Sequence, residues 1–217
     1  TILLLSTGSA MSINFADEKC NAILQTWYPG ARGGQAVAEC LFGEFSPSGK
    51  LPVTFYKSVE ELPEFTDYSM KGKTYRYMET EPLYPFGYGL TYSKVSLKNL
   101  KVLNDVTKET DIELSVEIKN IGDYDTDEVV QFYIKDNKSG FAVPNHSLCG
   151  FKRIHLKKGE SKVVELTVRN KAMTIVDDEG NRYIDSDSFT IFAGVSQPDR
   201  KSMELTGVRG LSVDINL

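Results

Sequence analysis

The side chains with chemistry to offer are scattered along the chain. Glu39, Glu44, Glu60, Glu61 and Glu64 supply carboxylates, and paired carboxylates are what acid–base or nucleophilic work on a polar bond needs. Glu39 falls on a short helical pattern and the others on polar loops, so solvated surface carboxylates are the preferred reading. Asp123-x-Asp125-x-Asp127 resembles the opening of a calcium loop. The glycine that such a loop needs at its sixth position is replaced by Glu128, and its bidentate glutamate at the twelfth by Ile134, so a turn between strands is preferred. His146 and His155 have no cysteine pattern beside them and read as surface or loop histidines rather than metal ligands. Gly30-x-x-Gly33-Gly34 opens a helix without the Lys-Ser/Thr ending of a phosphate loop and reads as helix–turn packing. Asn137-Lys138-Ser139 and Asn145-His146-Ser147 fit the glycan acceptor pattern, and with no secretion signal visible they are read as chance. Tyr75, Arg76 and Tyr77 are nominated as ligand contacts, since aromatic faces can stack on a ring and an arginine fork reaches hydroxyls. A packing cluster between domains is their competing reading. No residue is assigned as catalytic, as a metal ligand or as a cofactor contact.

Composition narrows the classes. A net charge of −5 without a long basic run argues against a nucleic-acid partner. No apolar run approaches the roughly 20 residues of a membrane-spanning helix. Three cysteines, Cys20, Cys40 and Cys149, are an odd number at wide spacing. They read as free thiols rather than a disulfide framework or a zinc site. With no signal segment visible, they favour a reducing, cytoplasmic compartment.

The elements that would position these groups fall into two unlike halves. Ile2–Leu5 is a short apolar run entering a Ser/Gly loop, the pattern of a buried parallel strand. Such a strand wants neighbours on both sides, so the chain is expected to be the tail of a longer one. Asn14 is a candidate cap for a helix carrying Ala16, Cys20, Ile23, Leu24 and Trp27 at helical spacing. A second helix is expected from Gly34 to Phe42, and a short strand over Leu51–Phe55 with Pro52 at its start. Residues 1–56 thus read as strand, helix, helix, strand, a fragment of an α/β layer domain.

Residues 57–93 lack periodicity, and an irregular segment of that length is more often functional or interdomain than part of one core. It ends in Tyr84-Pro85-Phe86-Gly87-Tyr88-Gly89-Leu90-Thr91-Tyr92, whose four aromatics predict an ordered seam. A flexible linker would be rich in Gly and Ser and poor in aromatics. From residue 94 the period becomes two. Ile112, Leu114, Val116 and Ile118 alternate with polar residues, as do Val130, Phe132 and Ile134, Val164, Leu166 and Val168, and Phe189, Ile191 and Ala193. About seven such strands, separated by turn clusters, predict over 94–217 an antiparallel β-sandwich of the immunoglobulin or fibronectin type III kind. The fold class is mixed: a partial α/β layer domain followed by an all-β sandwich.

An ordered string of motifs then becomes recognisable. Trp27-Tyr28-Pro29-Gly30, Gly33-Gly34-Gln35-Ala36-Val37-Ala38, Leu41-Phe42-Gly43 and Pro47-Ser48-Gly49-Lys50-Leu51-Pro52-Val53-Thr54-Phe55 together resemble the end of the C-terminal α/β domain of glycoside hydrolase family 3. Lys73–Tyr77 with Leu83–Tyr92 resembles that family's connector. Asn120-Ile121-Gly122, Asp127–Tyr133, Leu148–Arg153 and Gly159-Glu160-Ser161 resemble its fibronectin type III-like domain. The resemblance implies a retaining β-glycosidase, of β-glucosidase or β-xylosidase type, acting on a β-linked oligosaccharide or glycoside with two carboxylates about 5–5.5 Å apart. In the family the nucleophile is an Asp on an N-terminal (β/α)8 barrel. The acid/base is a Glu upstream of the Trp-Tyr-Pro-Gly string. Neither has a matching position here, so the chain alone is expected to be inactive and to brace catalytic domains. Its implied partners are the barrel and the remainder of the α/β domain, and no cofactor is implied. Two alternatives stand beside this: a non-catalytic module that binds carbohydrate or protein, and the structural half of a split enzyme.

Overall fold

A computed structural model describes residues Thr1–Leu217. Seven strands build two facing antiparallel sheets: β3 (Val95–Val102), β4 (Ile112–Asn120), β5 (Thr126–Asp136), β6 (Ser147–Leu156), β7 (Ser161–Val168), β10 (Ser188–Gly194) and β11 (Leu211–Asn216). One sheet runs β11-β10-β5-β6 and the other β3-β4-β7. The period-two pattern does its work here. Ile112, Leu114, Val116 and Ile118 of β4 are all fully buried against Val130, Phe132 and Ile134 of β5 and Phe189 and Ile191 of β10, in one contiguous core. Register follows the pattern, with Leu114 opposite Leu166 and Ile134 opposite Ile191. A bulge steps the β5–β6 register between Phe132 and Tyr133, leaving Cys149 unpaired between Leu148 and Gly150. A small hairpin, β8 (Ile175–Val176) with β9 (Arg182–Tyr183), and the short helix α4 (Arg200–Thr206) complete this half.

The first half departs from expectation in its element order. β1 (Ile2–Leu5) is followed by α1 (Asn14–Lys19), β2 (Ala22–Gln25) and α2 (Gly33–Leu41). The expected helix through Trp27 stops at Lys19, because Cys20 turns extended (ψ 144°) and Ala22–Gln25 pairs in parallel with β1. Four apolar-rich residues fit either period, and the free edge of β1 decides between them. Asn14 does not cap α1. The cap position is Ile13, and the Asn14 amide instead donates to the Lys57 carbonyl at 2.6 Å. Nor does Leu51–Phe55 become a strand. Pro52 has no N–H to give a ladder. Leu51 and Phe55 instead exchange backbone hydrogen bonds with Tyr88, Gly87, Tyr84 and Leu83, so the segment is zipped to the aromatic connector.

Between the halves, residues 57–93 are irregular but tied down. Ser58 and Glu61 form a reciprocal capping box on one 3-10 turn, and α3 (Thr74–Tyr77) is a single helical turn. A small cluster of Phe55, Leu83 and Tyr84 gathers Trp27, Ile23, Leu51 and Tyr88 around it. The β1–β2 pair carries no further strand, and Ile2 and Leu4 remain 51% and 46% exposed.

Candidate functional site at the aromatic seam

Alternation places Gln131 and Tyr133 on the face of β5 turned away from the sandwich core, where a sandwich would meet water. Both are buried instead, because the connector covers that face. Tyr133 donates to the Gln131 amide oxygen at 2.6 Å, and the Gln131 amide nitrogen donates to the carbonyls of Gly87 and Val195, each at 2.9 Å. Gly87 permits this approach. Its φ is 77°, and a Cβ there would lie 2.2 Å from the Gln131 amide oxygen.

The three nominated residues separate in this setting. The Tyr75 ring stacks on Phe86, with centroids 4.2 Å apart and planes 12° apart, and meets Tyr133 and His146 at its edges. Its hydroxyl accepts from the Leu148 N–H at 3.0 Å, and burial raises its pKa above the ordinary phenol value. Tyr75 is thus packed within the seam. Arg76 is exposed, with its guanidinium 5.6 Å from the centre of the half-buried Tyr77 ring.

His146 is a loop histidine, as one of the two expected readings had it, but it is not at the surface. It is 8% exposed, lies against Tyr75 and Tyr133, and its Nε2 has no partner. Burial pushes its pKa down to about 4, so the ring is neutral at neutral pH. The neighbouring Asn145 draws it in, donating through its side-chain amide to the Met78 carbonyl and through its backbone N–H to that of Arg76. His155 is exposed, with Nδ1 2.8 Å from Asp127 Oδ1.

Sequence reasoning missed a second contact between the halves, an ion pair of Lys50 Nζ with Glu128 Oε1 at 2.7 Å. A glutamate in the otherwise strand-like run Glu128-Val129-Val130 was the available signal. Beside it, a groove of about 640 Å³ opens between α2, the Phe45–Pro52 segment and β5–β6, with Phe45, Phe86, Phe151, Gln131 and Arg153 among its walls. Neither this groove nor a cavity of about 160 Å³ under α4 is lined by any Asp or Glu. The chemistry these walls offer is packing and hydrogen bonding. The candidate carboxylates lie elsewhere: Glu61 is spent on the backbone N–H groups of Lys57 and Ser58, Glu39 accepts from Gln35, and Glu44, Glu60 and Glu64 are exposed. Asp123 and Asp125 take Lys158 by its ammonium and its backbone N–H, and Asp127 takes Arg153 and His155. Gly33 packs against Pro29, where a Cβ would be 2.4 Å from the proline Cβ, as helix–turn packing requires. All three cysteines are free, and no helix is long and apolar enough to cross a membrane.

Comparison with known proteins agrees with this architecture. Residues 1–92 match the model of the glycosyl hydrolase family 3 C-terminal domain, and residues 128–197 match that of the fibronectin type III-like domain. A putative beta-xylosidase of Formosa agariphila is 40% identical, over 92% of this chain and 27% of its own length. A xylan 1,4-beta-xylosidase of Xylanibacter ruminicola is 38% identical, over 92% of this chain and 23% of its own. A solved b-glucosidase structure from Erythrobacter marinus superposes over 100% of this chain and 28% of its own, with a TM-score of 0.84 and 31% identity. The chain therefore spans about a quarter of the length of these relatives. With the motif string, the seam and the sandwich all accounted for, the chain belongs to glycoside hydrolase family 3, as the C-terminal part comprising the end of the α/β domain and the fibronectin type III-like domain.

Proposed function

We propose that the chain serves as the C-terminal portion of a retaining β-glycosidase, of β-xylosidase or β-glucosidase type, and that it braces the catalytic domains without supplying the reacting groups. The carrying observation is the relation to enzymes named as β-xylosidases, at 40% and 38% identity over nearly the whole chain. On this reading residues 1–56 close an α/β layer domain, 57–93 are the connector and 94–217 the sandwich. The partners are an N-terminal (β/α)8 barrel and the rest of the α/β domain, and the half-exposed Ile2 and Leu4 face the latter. Arg76 and Tyr77, the solvent side of the nominated trio, are the part of the connector offered to a bound glycoside.

The test assays aryl β-xyloside and β-glucoside hydrolysis by the 217-residue chain and by a polypeptide joining it to a barrel-bearing partner of the family. No turnover alone and turnover when joined is the expected result. Hydrolysis by the lone chain would overturn the proposal. In the joined enzyme, Arg76→Ala is expected to raise KM several-fold and leave the melting temperature unchanged.

A further inference from the structure

We infer that Lys50 and Glu128 form an interdomain lock, a buried ion pair that selects one docking of the α/β segment on the sandwich. The inference rests on the bracing role proposed above and gives that role its agents. Thr126 and Glu128 share the parity of Val130 and Phe132 on β5, so they point into the space between the two sheets, at the end where β5 begins. The Phe45–Pro52 segment enters that end. Ser46 Oγ accepts from Thr126 Oγ1 at 2.8 Å and from the Tyr92 N–H at 2.9 Å. Lys50 extends its ammonium to Glu128 at 2.7 Å and to the Gly89 carbonyl at 2.7 Å, with the two side chains only 8% and 4% exposed. Glu128 Oε1 also accepts the Val129 N–H at 2.7 Å. The fit has no slack, since a Cβ on Gly89 would sit 2.2 Å from the Gly49 carbonyl oxygen.

Every other ion pair in the chain has at least one partner a quarter or more exposed, so only this one is removed from water on both sides. A buried charge without its partner is strongly unfavourable, whereas an apolar pair of similar volume is tolerated or better. The pair therefore penalises every docking of the α/β segment that does not bring ammonium to carboxylate. β5 is thus held twice, near its start by Ser46 and Lys50 and further along by the aromatic connector.

The test is native-state hydrogen exchange on the full chain, comparing backbone amides of residues 33–55 with those of β4 in K50M, E128L and the double variant. Each single change is expected to lower protection of 33–55 by about a hundredfold or more, with β4 within a few-fold of the parent. The double variant is expected to regain at least about tenfold of the lost protection, because no charge is left unpaired. Single variants within threefold of the parent would overturn the lock. So would a double variant as unprotected as the sum of the singles. Should K50M lose protection everywhere, the double variant decides alone, by recovering or by failing to recover. No activity is read, so failure of the lock leaves the bracing proposal standing, and failure of the glycosidase assay leaves the lock untouched.

Discussion

His146 carries a buried imidazole whose Nε2 meets no hydrogen-bond partner. Burial is the largest influence on it, Lys135 adds to the depression, and Asp199 opposes both. With a folded pKa of about 4 against 6.5 for the free side chain, the unfolded state binds more protons between those values. Stability therefore rises with pH across that window. The contribution is fully present above pH 6.5 and is lost as pH falls toward 4. In urea titrations the chain is expected to lose about 2 kcal/mol between pH 7 and pH 5 from this group. In His146→Gln that difference should shrink to the residual slope of the surface carboxylates. An unchanged slope in the variant would mean that other groups set the acid sensitivity.

The element that departs most from its sequence pattern is β5. Its alternation correctly put Val130, Phe132 and Ile134 in the core, and the same rule would leave Tyr133 in water. The rule counts one sheet face and has no knowledge of a second layer brought over by a segment forty residues upstream. Tyr133→Ala is therefore expected to cost about 3–5 kcal/mol in urea unfolding, the range of a core aromatic and comparable to Phe132→Ala. A cost under about 1 kcal/mol, as for a surface position, would show that the connector does not truly cover that face. The strands β4, β5, β7 and β10 were legible, because each rests on local period-two alternation. The break of the first helix at Lys19 was not, since Ala22–Gln25 becomes a strand only through its parallel partner. Lys50 and His146 were equally hidden, and the one signal at Glu128, a glutamate in a strand-like run, did not name its partner. Their roles arise from contacts between distant segments, and nothing in the type of a charged residue announces burial.

Across the whole molecule the apolar core is divided unequally. Eighteen buried residues form the sandwich core, against three in the cluster where the α/β segment meets the connector. Buried apolar area is the main source of cooperative stability, so the two regions should not open together. Neither β1 nor β2 has a partner beyond the other, and no residue of α1 is buried, whereas β4 is flanked on both sides and sealed on its inner face. In native-state exchange, amides of β4 are expected to open only with global unfolding. Those of α1, β1 and β2 should open through smaller excursions, with protection lower on the order of a hundredfold. Joining the chain to a barrel-bearing partner of the family should raise protection at β1 and β2 selectively, as parallel strands gain covered faces and new neighbours. Uniform protection across both regions of the lone chain would mean that the small cluster and the ion pair already bind them into one folding unit. In that case the exposed flanks of Ile2 and Leu4 would need no covering partner to account for the stability of the sheet they edge.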